Sequence, residues 1–192
     1  MKLQAIALLA LAVVAVPVLA ALKEGDPAPV FSAQASLAGK VFQYSLLESL
    51  KNGPVVVYFY PSAFTSGCNL EAHTFSENAE KFQAAGASII GVSLDNIERL
   101  NAFSADPKYC AGKLAVASDP DGMIARSYKL KVDDASPGAK DTRGVEIGHG
   151  FAARTTFVVL PDGKVAASVD GVTPFEHVQK ALAIVNGLHG AR

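Results

Sequence analysis

Runs of continuous hydrophobicity alternate with amphipathic stretches along most of this chain. Gly25-Asp26-Pro27-Ala28-Pro29 is an extended, proline-fixed lead-in. Phe31 to Leu37 is weakly patterned. Ala38-Gly39-Lys40 signals a turn, Val41–Tyr44 a short strand, and Leu46 to Leu50 a brief helix stopped by Asn52-Gly53-Pro54. Val55–Tyr60 is apolar throughout, as expected of a strand buried on both faces of a parallel sheet. Phe75, Ala79 and Phe82 fall at helical spacing in a helix that starts near Cys68 and ends by Gly86. Ser88–Leu94 is a second buried strand. Asp95 and Glu98 have the places of N-cap and N3 acid in a capping box, which predicts a helix to about Ser104.

Asp106-Pro107 breaks that helix, with Cys110 just beyond. Leu114–Ala117 reads as a short strand, Asp119-Pro120-Asp121-Gly122 as a turn, and Met123 to Tyr128 as a short helix. Residues 131–150 carry glycines, prolines and mixed charge, which predicts a long exposed loop. Thr155–Leu160 and Lys164–Val169 form a hairpin around Pro161-Asp162-Gly163. Thr173 and Glu176 make a second capping box with Pro174 at the first helical position. The final helix is expected to bury Phe175, Val178, Leu182 and Val185 and to close at Gly187. The order β-α-β-α-β-α-β-β-α predicts an α/β sheet with helices on both faces and a terminal antiparallel hairpin.

Composition changes this picture at the N-terminus. Residues 1–20 read as a secretory signal: Lys2, an apolar run from Ala5 to Val16, then Pro17 and the small-residue ending Val18-Leu19-Ala20. An uncleaved anchor is the competing reading, since about 20 apolar residues suffice to span. The alanine richness, the proline and the site-like ending favour cleavage, leaving 21–192 as one domain of an exported, periplasmic protein. Charge is nearly balanced at −1, with no basic cluster, so nucleic-acid binding and a polybasic membrane patch are not expected. There are two cysteines, without a C-x-x-C or a metal-type spacing. In an exported chain they permit one disulfide. The four histidines read as ordinary surface or partly buried residues.

Cys68 has the most informative position. It lies where a buried strand ends and a helix begins, so unpaired N–H groups and the helix dipole favour its thiolate. Pro61-x-x-x-Thr65-x-x-Cys68, in that strand-to-helix setting, resembles the active-site signature of the peroxiredoxins. The likeness extends to Gly67-Cys68-Asn69-Leu70-Glu71-Ala72, Ile90-Gly91-Val92-Ser93, Ala117 to Gly122 and Arg154-Thr155-Thr156-Phe157-Val158-Val159. It covers nearly the whole mature chain and is greatest with the PrxQ, or bacterioferritin-comigratory-protein, branch. The implied fold is thioredoxin-like: a central mixed sheet, helices on both faces and a terminal hairpin.

The resemblance implies a thiol-dependent peroxidase that uses no metal, flavin or haem. Its substrate would be hydrogen peroxide or an organic hydroperoxide, and its electrons would come from a thioredoxin-like thiol reductant. Cys68 would attack the O–O bond, which calls for a thiol of lowered pKa. Arg154 matches the family's arginine and would hold the thiolate and polarise the peroxide. Thr65 would cap the helix through its hydroxyl and bond sulfur and peroxide oxygen, and Pro61 would shield the pocket. Glu71, one turn from Cys68, matches an acid that holds the arginine. Taken singly, these residues read as an N-cap, a strand terminator and surface charges; the site lies in their joint spacing.

Many members of the branch carry the resolving cysteine five residues after the first, where this chain has His73. Cys110 is the remaining thiol and is implied to form the disulfide, with helices at both cysteines unwinding to let them meet. The alternatives are an outside thiol acting on Cys68, or Cys110 as a buried bystander. Two other functions compete: an exported thioredoxin-fold thiol–disulfide oxidoreductase, and a binding module stapled by a permanent Cys68–Cys110 disulfide. Members of this branch are often monomeric, and no stable membrane insertion is expected after cleavage.

Overall fold

The computed structural model describes residues 21–190, so the secretory signal expected over residues 1–20 falls outside the described residues. The strands are β1 (Ser32–Leu37), β2 (Lys40–Ser45), β3 (Val55–Phe59), β4 (Ser88–Ser93), β5 (Ala115–Ser118), β6 (Val132–Asp133), β7 (Phe151–Ala152), β8 (Thr155–Val159) and β9 (Val165–Val169). The helices are α1 (Leu46–Leu50), α2 (Ser66–Ala84), α3 (Ile97–Ala105), α4 (Met123–Ser127) and α5 (Pro174–Gly190). Seven strands make one sheet in the order β2-β1-β5-β4-β3-β8-β9. Its centre, β5-β4-β3, is parallel, and antiparallel pairs flank it on both sides. This is the mixed, thioredoxin-like sheet with a terminal hairpin.

Strand β3 shows why a continuous apolar run was needed. Its side chains alternate between faces, so Val55, Val57 and Phe59 enter one core with α1, α4 and Tyr128. Val56, Tyr58 and the following Tyr60 enter the other, with α2, α3 and α5. Phe75 and Phe82 of α2 are fully buried in that second core, each contributing about 1.5–3 kcal/mol over exposure. Gly91 of β4 serves the same core: a Cβ there would lie 2.5 Å from the Tyr58 ring, so only glycine lets that ring lie across the strand.

Several expectations need correction. The weakly patterned Ser32–Leu37 is strand β1, held between β2 and β5 by backbone pairing that its composition does not announce. Asn96, not Asp95, caps α3, its side chain accepting the Arg99 N–H at 2.9 Å. Phe175 is 51% exposed, because α5 turns Val178, Ala181, Leu182 and Val185 inward instead. Gly187 does not end that helix, which continues to Gly190. The Thr173/Glu176 box is present, with Glu176 accepting from the Thr173 N–H and hydroxyl at 2.9 and 2.7 Å.

The segment 131–150 is not simply an exposed loop. Strands β6 and β7 close its base. Within it a small hairpin forms, with Ile147 N–H donating to the Ala139 carbonyl and Asp141 N–H to that of Val145. Asp141 and Ile147 are buried. Apolar and ionic partners elsewhere in the chain, invisible to local pattern, hold it down. Among the described residues, no helix is long and apolar enough to cross a membrane.

Candidate active site

Strand β3 delivers the chain to the site. Tyr60 N–H makes the last sheet-type bond, to the Val92 carbonyl, and Pro61, half-buried and without a donor, follows. Residues 62–65 then turn sharply, with Phe64 at φ +63°. A left-handed conformation for a bulky residue costs on the order of 1–3 kcal/mol and persists only where its surroundings hold it. Cys68 lies in the first turn of α2 with only 1% of its surface exposed.

Arg154, just before β8, reaches over that first turn. Its Nη2 is 3.2 Å from Cys68 Sγ, and its Nη1 donates to Glu71 Oε2. Gly67 makes room, since a Cβ there would stand 3.3 Å from Arg154 Nη2 and 3.4 Å from Pro174. Glu71 is fully buried, one helical turn from Cys68, as the i,i+3 spacing requires. Behind it, His177 of α5 lies 4.0 Å from Glu71 Oε1 and pairs with the Thr156 hydroxyl at 3.0 Å. Burial, with the charge of Arg154, pushes His177 down to about 4, so this histidine is neutral at neutral pH.

Thr65 is the N-cap residue of α2, but its hydroxyl donates to the Ser62 carbonyl at 2.8 Å rather than capping the helix. It still bears on the sulfur. Burial pushes the Cys68 thiol up, while Arg154, the Thr65 hydroxyl and the Ser62 backbone pull it back without cancelling the rise. A thiol shifted down, as the helix start predicts, is therefore not what the closed pocket holds. The reason is burial. Burial likewise pushes Glu71 up to about 8 against the pull of Arg154. Both acids titrate high because the pocket is dry, and the pull of the one guanidinium they share does not cancel that. For Arg154 itself, burial works against the charge, but Cys68 and Glu71 outweigh it and raise its pKa. The contact with Glu71 holds the Arg154 guanidinium in place over Cys68. Glu71→Gln keeps an acceptor for Arg154 and removes the competing acid. The Cys68 thiol is then expected to titrate lower than in the parent, as read by ultraviolet thiolate absorbance against pH; an unchanged or higher titration would contradict this balance.

Asp95, spared from capping, turns back into the site. Five groups converge on its buried carboxylate: Ala63 N–H at 2.7 Å, the Ser62 and Ser93 hydroxyls at 2.9 and 2.7 Å, and His149 and Arg99 at 2.8 Å each. These bonds hold Asp95 below the ordinary carboxylate range although burial opposes them. Sequence reasoning missed this anchor, as it missed His149 and His177. One signal was available: Asp95 and Asn96 are two cap-type residues in succession at a strand end, and one helix uses only one of them. His73 is exposed on α2, and the side chain of His189 lies outside what is described.

Cys110 is a fully buried free thiol in tight turns after α3, not in a helix, so no helix need unwind on its side. Burial, then the charge of Asp106, pushes that thiol far up. Both cysteines belong to the same apolar core, and Phe64 is wedged there, its ring 5.0 Å from that of Phe103 and 5.7 Å from that of Tyr109. Among the described residues, no group of three or more His, Cys, Asp or Glu is placed to hold a metal ion.

The chemistry this arrangement allows is that of a thiol held ready by a guanidinium in a water-poor pocket. Comparison with known proteins points the same way. The AhpC/TSA family model matches residues 24–168. Peroxiredoxin Bcp of Xanthomonas campestris is 29% identical over 157 residues, covering 82% of this chain and 90% of the relative. The crystal structure of peroxidoxin BcpB from Mycobacterium tuberculosis superposes with a TM-score of 0.73 at 28% identity, covering 87% of this chain and 98% of that one. Peroxiredoxin Q of Xanthomonas campestris gives a TM-score of 0.64 at 27% identity over 81% of this chain and 90% of that one. A thiol, a guanidinium and a buried acid on a thioredoxin-like sheet, together with these likenesses, show that the chain belongs to the AhpC/TSA family and is a peroxiredoxin, a thiol-dependent peroxidase.

Proposed function

We propose that Cys68 is the peroxidatic thiol and that Arg154, Thr65, Pro61 and Glu71 complete its site. The observation that carries this is the Arg154 fork, one arm 3.2 Å from Cys68 Sγ and the other on Glu71. A cation so fixed stabilises the thiolate and then the oxygen that leaves with charge when the O–O bond breaks. The step balances: Cys68–SH and ROOH give Cys68–SOH and ROH, the outer oxygen keeping its proton on sulfur and the thiol proton passing to the leaving alkoxide. Pro61 and the buried Phe64 keep water away from it.

Cys110 is proposed as the resolving thiol, condensing with Cys68–SOH to a disulfide and water. Sharing one apolar core with Cys68 supports this, while its depth requires the Cys68 side to move toward it. A thioredoxin-like reductant then returns both to thiols. Organic hydroperoxides are proposed as substrates beside hydrogen peroxide. The Xanthomonas campestris bacterioferritin comigratory protein, a structure described for its alkyl peroxide reduction activity, has a TM-score of 0.64 and 27% identity with this chain. Export to the periplasm after cleavage at Ala20 is also part of the proposal. Leu22, two residues on, is already in the core. A monomer free of nucleic acid and membrane completes the reading.

The test is mass spectrometry of reduced protein given one equivalent of peroxide. The expected product is a disulfide joining Cys68 and Cys110. In Cys110→Ser a sulfenic acid should accumulate on Cys68, and turnover with a thioredoxin-type donor should fall at least about tenfold, if one lost covalent step dominates. Undiminished turnover would remove Cys110 from the cycle and favour direct resolution by the donor.

A further inference from the structure

The hairpin formed by residues 139–147 lays its tip on the loop that carries Cys68. Thr142 donates twice to the Phe64 carbonyl, from its N–H at 2.9 Å and its hydroxyl at 2.8 Å. The same hydroxyl lies 3.4 Å from Asn69 Nδ2, in the first turn of α2. Thr142 thus touches the chain on both sides of Cys68. Its neighbour Arg143 places its guanidinium 3.3 Å from the centroid of the Phe64 ring.

The tip is itself braced. Asp141, with its carboxylate buried, accepts from Arg143 Nη2 and Arg99 Nη2 at 2.7 Å each, and Arg99 in turn donates to the Ala63 carbonyl at 2.9 Å. The opposite side of the arrangement is aromatic, with Phe103 and Tyr109 set edge-on to Phe64. Tyr109 is the residue before Cys110. Phe64 therefore fills the space on the Cys110 side of the Cys68 loop, in a left-handed conformation that it would leave if released.

We propose that Thr142 and Arg143 are positioning residues that latch the Cys68 loop closed, and so decide how Cys68 sulfenic acid divides between disulfide formation and over-oxidation. The inference rests on Cys68 being the peroxidatic thiol. In the closed loop Cys68–SOH meets a second peroxide: its sulfur takes one oxygen, the O–O bond breaks, and Cys68–SO₂H and ROH result. In the opened loop, with Phe64 withdrawn, Cys110–SH attacks the same sulfur, and a disulfide and water form. Holding Phe64 favours the first course and releasing it favours the second.

The test uses full-length mature protein as Arg143→Ala, Arg143→Lys and Thr142→Val. Arg143 is 38% exposed, so its truncation leaves the core intact. In the reduced proteins a bulky maleimide reaches Cys68 only when the loop opens. Arg143→Ala and Thr142→Val are each expected to speed its alkylation severalfold, and the pair together about tenfold, as befits loss of a cation–π contact and a hydrogen bond. Cys110 alkylation should stay slow, which separates loop opening from general destabilisation. Arg143→Lys, which keeps a cation over the ring, should fall between parent and Arg143→Ala. Under excess peroxide the sulfinic fraction of Cys68 should drop by a similar factor in the double variant. Unchanged alkylation and an unchanged sulfinic fraction would overturn the latch. Faster alkylation in a protein that peroxide never oxidises at Cys68 would instead overturn the peroxidatic assignment beneath it.

Discussion

Cys68→Ser is expected to reduce peroxide turnover to the level of buffer with reductant alone, while leaving the protein folded. Serine is nearly the same size and fits the same buried place, and its hydroxyl can still accept from Arg154. What it lacks is chemistry. A hydroxyl is hardly ionised in this pocket, and oxygen is a far poorer nucleophile than sulfur toward a peroxide bond. The surrounding contacts do not depend on sulfur: Asp95 still gathers Ser62 and Ala63, and Phe64 stays between its aromatic neighbours. The measurement is peroxide consumption beside thermal unfolding. Residual turnover above background in a folded Cys68→Ser protein would refute the assignment. Lost turnover together with lost folding would point to a structural role for the thiol.

Arg154→Met should lower kcat/KM for peroxide by about a hundred- to a thousandfold, the usual consequence of removing a preorganised donor from developing negative charge. Two effects combine. The guanidinium no longer pulls the Cys68 thiol down, so less thiolate is present, and no cation meets the leaving oxygen. Stability also changes, because Glu71 loses its partner in a fully buried place. A lone buried carboxylate costs about 3–5 kcal/mol if it stays charged. It is expected to take up a proton instead, which its already raised pKa makes easy. The double variant Arg154→Met/Glu71→Gln separates the two effects. Stability should recover relative to Arg154→Met, and catalysis should not. Recovery of turnover in the double variant would mean that Arg154 acts only by neutralising Glu71.

The elements around Cys68 were legible because their causes are local. Six apolar residues ending in a proline specify a buried strand that stops, and Thr65-x-x-Cys68-x-x-Glu71 puts thiol and acid on one helix face by periodicity alone. Arg154 was legible too, but through family resemblance rather than spacing, since nothing near it in sequence says where its side chain goes. Other residues were out of reach. Asp95 read as a helix cap because a cap is a local role; its five partners come from four separate segments. His177 is a histidine on an otherwise apolar helix face until α5 packs against α2 and buries it behind Glu71.

By itself, the sequence determined the fold class, the position of Cys68 at a strand-to-helix junction, and the residue types that its chemistry requires. These follow from short-range periodicity and backbone geometry, which the chain carries wherever it goes. Only the tertiary structure decided the electrostatic state of the site and what restrains it. The Cys68 thiol is raised rather than lowered because burial outweighs the helix start and the pull of Arg154, and burial is a product of packing. Thr65 donates to the Ser62 carbonyl across the turn and makes no side-chain cap to the helix, a choice set by the turn's geometry. Residues 139–147, polar and glycine-bearing, read as loop, yet they press on Phe64 because Asp141 finds Arg99 across the fold as well as Arg143 beside it. Charge pairing and burial between distant segments depend on the whole path of the chain, and no local pattern encodes them.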